Sequence, residues 1–217
     1  STYYIAVTSI NEDVEESEDL STVFKNIDGI IIPGGFGQRG VLGMIQTAQY
    51  ARENSIPCFG ICLGMQVMVI EWARNVLNMK NADSAEFKPE GQNNVIALLE
   101  DQVDIVDFGG TMRLGLSESI LTKGTKIAES YNSLSIWERH RHRFEVSNDH
   151  KSDIEKSGLI ISGTTKDGNL VESVEWPNHP WGVGMQAHPE FTSQPIKAGP
   201  LFRSFIYESL KYGKKVK

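Results

Sequence analysis

Cys62 is the residue of this chain best placed to act as a nucleophile. It sits in Gly60-Ile61-Cys62-Leu63-Gly64, a G-x-C-x-G pattern between an apolar run and a Met- and Val-rich stretch. With serine in place of cysteine this pattern is the nucleophile elbow, a turn so sharp that the neighbours of the reactive residue must be small. Such a turn lifts the side chain above the carboxyl edge of a sheet, where open α/β sheets bind ligands. A helix beginning at Leu63 offers free N–H groups and a partial positive charge, and both favour a thiolate. The Leu63 N–H is also able to face the oxyanion that forms when sulfur attacks a carbonyl. The pattern taken alone also fits, less well, a small apolar cysteine buried in a glycine-rich turn. Cys58, the other cysteine, lies mid-strand without such a turn and reads as core.

A nucleophilic cysteine needs a base that a third group holds in place. Five histidines compete for the role, and His188 has the best context. It follows the apolar stretch at residues 181–187, so it belongs at the end of a strand, as the elbow does. Glu190 lies two residues on, and in extended chain such residues point to the same side. Pro189 between them fixes one backbone angle. The Glu190 carboxylate can then hold the imidazole tautomer as the acid of a Ser-His-Asp triad does. His-Pro-Glu by itself is also a common way to satisfy a strand-end histidine; its weight comes from the elbow.

The elements that would position these residues follow from apolar periodicity. Residues 29–33 and 56–61 are continuous apolar runs that suit buried parallel strands. Gly34-Gly35-Phe36-Gly37 then makes a tight turn, residues 41–54 a helix with Val41, Ile45 and Ala48 on one face, and residues 63–77 a second helix. This order argues for an α/β fold, doubly wound, with a mainly parallel central sheet and helices on both faces. Residues 5–7, 94–99, 111–114 and 126–129 read as further short strands. Residues 158–165 and 170–175 form a hairpin around Lys166-Asp167-Gly168-Asn169, and residues 181–187 are a last strand. Residues 200–212 read as a terminal helix, and the six acidic residues within 11–19 as a solvated loop.

The 217 residues suit one domain with a sizeable core. Forty per cent hydrophobic and 23% charged residues are ordinary for a globular protein. No apolar run reaches the roughly 18 residues a membrane helix needs, and no secretory leader is visible. A net charge of −7 disfavours a broad phosphate-binding surface. Two cysteines make no disulfide framework, so the expected setting is reducing and cytoplasmic. Arg139-His140-Arg141-His142-Arg143 invites a nucleic-acid reading, but alternation splits the five between two faces. Neither cysteine lies at ligand spacing from His140 and His142, so no zinc site is expected.

Pro33-Gly34-Gly35-Phe36-Gly37, Gly60-Ile61-Cys62-Leu63-Gly64-Met65-Gln66 and His188-Pro189-Glu190 together resemble the class I, triad-type glutamine amidotransferases. Further stretches narrow the resemblance to the glutaminase domain of the CTP synthase family. They are residues 34–40, 82–87, 110–115, 139–146 with Glu138 before them, and His188-Pro189-Glu190-Phe191-Thr192-Ser193. The likeness runs from about residue 28 to about residue 205 with little sign of insertion or deletion.

The resemblance implies hydrolysis of glutamine to glutamate and ammonia by a Cys-His-Glu triad. Cys62 would be nucleophile, His188 base and acid, and Glu190 its orienter. Gly35 and Leu63 would supply oxyanion-hole N–H groups, and Phe36, Gln66, Glu86 and Arg143 would hold the glutamine. Glu86 suits the α-ammonium and Arg143 the α-carboxylate, which a guanidinium grips as a fork. In the family, ammonia passes to a synthetase domain that aminates ATP-activated UTP to CTP, and GTP stimulates the glutaminase. The glutaminase domain would need no cofactor or metal, while ATP, Mg and UTP belong to the synthetase half, through which homo-oligomers would form. That half is absent from the 217 residues, as are the strand and helix that open the family's domain. Two readings compete: the glutaminase of another amidotransferase such as GMP synthase or a stand-alone γ-glutamyl hydrolase, and a glutamine-binding or assembly module without turnover.

Overall fold

The computed structural model describes residues 5–10, 13–17, 19–98 and 112–216. Two short helices, α1 (Asp13–Glu16) and α2 (Leu20–Val23), precede β1 (Ile30–Ile32), α3 (Val41–Glu53), β2 (Cys58–Ile61) and α4 (Leu63–Asn75). Then come β3 (Asp83–Ser84), β4 (Asn94–Leu98), β5 (Arg113–Leu121), α5 (Lys126–Tyr131), β6 (Ser135–His142) and β7 (Phe144–Val146). The chain closes with α6 (Asn148–Lys156), β8 (Ile160–Thr164), β9 (Val171–Glu175), β10 (Gly182–Met185), a 3₁₀ turn at Pro189–Phe191 and α7 (Pro200–Val216).

Seven strands form one sheet in the order β1-β2-β10-β9-β8-β5-β6, and β3-β4-β7 form a smaller one. The expected α/β architecture with helices on both faces is present. On one face α3 and α4 bury Ile45, Ala48, Met68 and Val69 with Ile30 and Ile32. On the other, α5 and α7 bury Ile127, Leu201 and Phe205 with Phe59 and Val183. β2 is therefore buried on both faces, which is why it reads as an unbroken apolar run. From Leu63 to Ala73 every residue of α4 is buried, so that helix is apolar nearly all round. The sheet is mixed: β1, β2 and β10 run parallel, and the pairings from β10 out to β6 are antiparallel. The parallel part carries the elbow.

Several sequence expectations need correction. Residues 126–129 are not a strand but the start of α5. Thr125 caps that helix through its side chain, and the Lys126 and Ile127 N–H groups donate to the Glu175 carboxylate at 3.0 Å each. Residues 5–7 pair with no strand among the described residues, and Val7 is 90% exposed. The acidic loop contains helix α1, which buries Val14 and lets the Glu15 carboxylate accept from the Gly43 N–H at 3.0 Å. Residues 99 and 111, expected at strand ends, and the Gly110-Thr111 part of the family stretch lie outside the described residues. Among the described residues no helix is long and apolar enough to cross a membrane.

Candidate active site

Cys62 stands between the last residue of β2 and the first of α4, with φ 52° and ψ −106°. A side chain rarely occupies that region, and holding it there takes firm support. The Cys62 N–H donates to Met185 O at 2.8 Å, and its carbonyl accepts from the Gln66 N–H at 3.2 Å. The first bond ties the turn to β10; the second starts α4. The flanking glycines are required by space. A Cβ on Gly60 would lie 2.7 Å from Gly64 C, and one on Gly64 would lie 2.0 Å from Ile32 O.

His188 follows β10 by three residues and is fixed on several sides. Its N–H donates to Arg139 O of β6 at 2.7 Å, and its ring stacks on Phe191 with centroids 4.8 Å apart and planes 9° apart. Nδ1 bonds Glu190 Oε1 at 2.6 Å, so the two-residue spacing does bring the carboxylate to the imidazole. Nε2 is buried without a hydrogen bond of ordinary geometry. Cys62 lies beside the ring: a Cβ added to Gly34 would be 2.9 Å from His188 Cε1 and 3.4 Å from Cys62 Cβ. Burial acts to lower the His188 pKa, but hydrogen bonding and charge from Cys62 and Glu190 outweigh it and raise the value to about 10.

Because that pKa is raised above the ordinary 6.5, the imidazolium stabilises the fold fully below pH 6.5 and loses that contribution as pH climbs through 10. Glu190→Gln removes one of the raising influences. The Glu190 side chain is 39% exposed, so screening limits the expected loss to about 1 kcal/mol near neutral pH. The loss should vanish in strongly alkaline solution. Urea unfolding of both proteins across this range checks it, and parallel stability–pH curves would contradict the assignment.

Six of the residues expected to serve the reaction line one cavity of about 150 Å³: Gly35, Phe36, Cys62, Gln66, Glu86 and Arg143. Met112, His142 and Phe144 complete its wall. Glu86 Oε1 accepts from the Gly37 N–H at 2.8 Å, which joins the glycine turn to the opposite side of the cavity. Phe36 is exposed, with the Arg141 guanidinium 5.7 Å from its ring centre. Gly35 packs on Leu63, since a Cβ there would meet Leu63 Cδ2 at 3.2 Å. Leu63, His188 and Glu190 are not cavity wall. Cys58 is fully buried, and desolvation pushes its thiol well above the ordinary range, the behaviour of a core residue.

The basic run splits as alternation requires: Arg139 and Arg141 are exposed, while His140 and His142 are buried. Burial, with the Arg113 charge behind it, pushes the pKa of His140 down to about 2. For His142, burial and Arg113 again set the direction, to about 3. Burial thus drives both rings toward the neutral form, while His140 Nε2 lies 3.2 Å from Glu172 Oε2. Sequence reasoning missed Gln186, which is fully buried with Nε2 3.7 Å from Cys62 Sγ. The signal was present: Gln186 precedes His188 by two residues, the spacing that drew attention to Glu190.

A family model described as "Glutamine amidotransferase class-I" matches residues 1–207. The chain is 51% identical over 205 residues to a CTP synthase of Carboxydothermus hydrogenoformans, covering 94% of this chain and 38% of that protein. It is 49% identical over 207 residues to a CTP synthase of Bacillus subtilis, covering 95% and 39%. The chain thus spans about two fifths of these relatives. Among solved structures, the glutaminase domain of Trypanosoma brucei CTPS with bound acivicin superposes with a TM-score of 0.87 at 36% identity. That match covers 96% of this chain and 82% of the other.

Proposed function

Since the chain belongs to the class I glutamine amidotransferases, we propose that it hydrolyses the side-chain amide of L-glutamine with Cys62, His188 and Glu190 as its triad. The observation that carries this is the imidazole held between a carboxylate and the elbow cysteine, with that cysteine in the wall of a cavity of single-residue size. The Cys62 thiolate attacks the amide carbon, and the Gly35 and Leu63 N–H groups receive the developing oxyanion. The imidazolium of His188 gives its proton to the leaving nitrogen, the C–N bond breaks, and a γ-glutamyl thioester remains as ammonia departs. Water that loses a proton to His188 then cleaves the thioester, releasing glutamate and restoring the thiolate. Glu190 keeps Nδ1 protonated throughout, so Nε2 is the nitrogen that exchanges the proton.

Arg143 receives the substrate α-carboxylate and Glu86 the α-ammonium, with Phe36 and Gln66 closing on the aliphatic chain. The near half-identity to CTP synthases over nearly the whole chain supports the further reading that the ammonia serves a synthetase domain, for ATP-dependent amination of UTP to CTP.

A glutamine-like diazo-ketone tests the assignment. It is expected to alkylate Cys62 and spare Cys58, L-glutamine should protect, and Arg143→Ala should raise the half-saturating reagent concentration about tenfold or more, as loss of a charged fork does. A chain that binds glutamine yet leaves Cys62 unlabelled would be a binding or assembly module instead.

A further inference from the structure

A line of hydrogen bonds runs from the back wall of the cavity to the sulfur. The Phe144 carbonyl accepts from Gln66 Nε2 at 2.9 Å and faces His142 Nδ1 at 3.3 Å. Gln66 Nε2 also meets Gln186 Oε1 at 3.2 Å, and Gln186 Nε2 meets Cys62 Sγ at 3.7 Å. A backbone carbonyl can only accept. It therefore requires the amide nitrogen of Gln66 on its own side. That NH₂ group has a second hydrogen to give, so the Gln186 atom beside it must be the oxygen. The Gln186 nitrogen is left facing sulfur. The polarity of both amides is thus set by the network.

The same carbonyl is secured from its other side. His142 Nδ1 must carry its hydrogen to bond Phe144 O, which leaves His142 Nε2 to accept from His140 Nδ1 at 2.9 Å. His140 Nε2 lies 3.2 Å from Glu172 Oε2 on its far side. Gln186 is further fixed by its own N–H, which donates to Glu172 O at 2.8 Å.

We propose that Gln186 is a further catalytic residue, whose Nε2–H donates to the Cys62 sulfur and stabilises its anionic form. Gln66, acting through Gln186, is a positioning residue. This rests on Cys62 being the nucleophile. A donor aimed at a buried sulfur favours thiolate over thiol, and it adds to what His188 supplies.

The test is the rate of Cys62 alkylation by iodoacetamide, a neutral reagent that needs no substrate site, followed from acid to alkaline pH with thermal melting as the fold control. Gln186→Met, which removes the donor at similar length, should slow alkylation about tenfold at neutral pH, the effect of one hydrogen bond to a charged group. The rate should recover in alkaline solution. Gln186→Glu, nearest in shape, should be slower still, because an oxygen replaces the N–H. A packing role predicts the opposite order, with Glu nearest the parent, and that order would overturn the proposal. Gln186→Asn carries the test if either variant fails to fold: its shortened amide should give the Met-like deficit, and a parental rate would overturn the proposal. A parent Cys62 no more reactive than Cys58 would remove the nucleophile assignment and this one with it. A reactive Cys62 indifferent to Gln186 would remove this one alone.

Discussion

Cys62→Ser and Cys62→Ala should each lose glutamine hydrolysis by at least about four orders of magnitude while melting close to the parent. The size of the loss follows from removing the atom that forms the covalent intermediate; nucleophile replacements in triad enzymes cost roughly that much or more. Serine does not rescue, because a hydroxyl is a far weaker nucleophile than a thiol at the same place. The fold should persist because residue 62 is held by its backbone. Its N–H and carbonyl bond Met185 and Gln66 whatever side chain is present. The measurements are ammonia release with glutamine and a thermal melt. Near-parental release by either variant would end the triad assignment.

Gly64→Ala should damage fold and site together, although it adds a single carbon. That carbon would lie 2.0 Å from Ile32 O and 2.9 Å from Ile32 C, well inside contact distance. The obstacle is backbone, so no rotamer relieves it. β1 must shift away from α4, and β1 leads directly into Gly34 and Gly35 on one side of the site. The penalty should reach or exceed the roughly 3 kcal/mol upper range of overpacking. At about 2–4 °C per kcal/mol for a chain of this size, melting should fall by roughly 6–12 °C or more. Gly124→Ala is the comparison: its φ is +84° but its side-chain space is open, so only the backbone cost of about 1 kcal/mol applies. Equal melting of the two variants would show that α4 does not press on β1.

The elbow and its strands were legible because their signals are local and strong. An apolar run, two small residues around a cysteine and an apolar helix mark a strand–turn–helix, and β1, β2, α3 and α4 lie where expected. Gln66, Glu86 and Arg143 line the cavity, but their approach joins segments far apart in sequence, and only the resemblance named them. α5 was misread because Ile127 and Ala128 offer too short an apolar signal to separate helix from strand. What decides it is Glu175, 48 residues from Ile127, at the helix start. α6 was missed because it buries little besides Ile154 and shows no apolar stripe. The antiparallel part of the sheet was only partly visible, since the β5–β6 pairing follows from no turn motif. Gln186 was passed over because a neutral amide in a strand signals nothing until its neighbours are known.

The backbone at residue 62 asks for one kind of residue and the reaction for another. With φ at 52° and ψ at −106°, the turn would be most comfortable as glycine, which has no Cβ to crowd the adjacent carbonyls. The sulfur is thus retained against the preference of the chain that carries it. Selection for durability and selection for turnover pull in opposite directions at this position. A descendant released from catalytic duty would gain by surrendering the thiol first, while keeping the glycines on either side that the architecture itself demands.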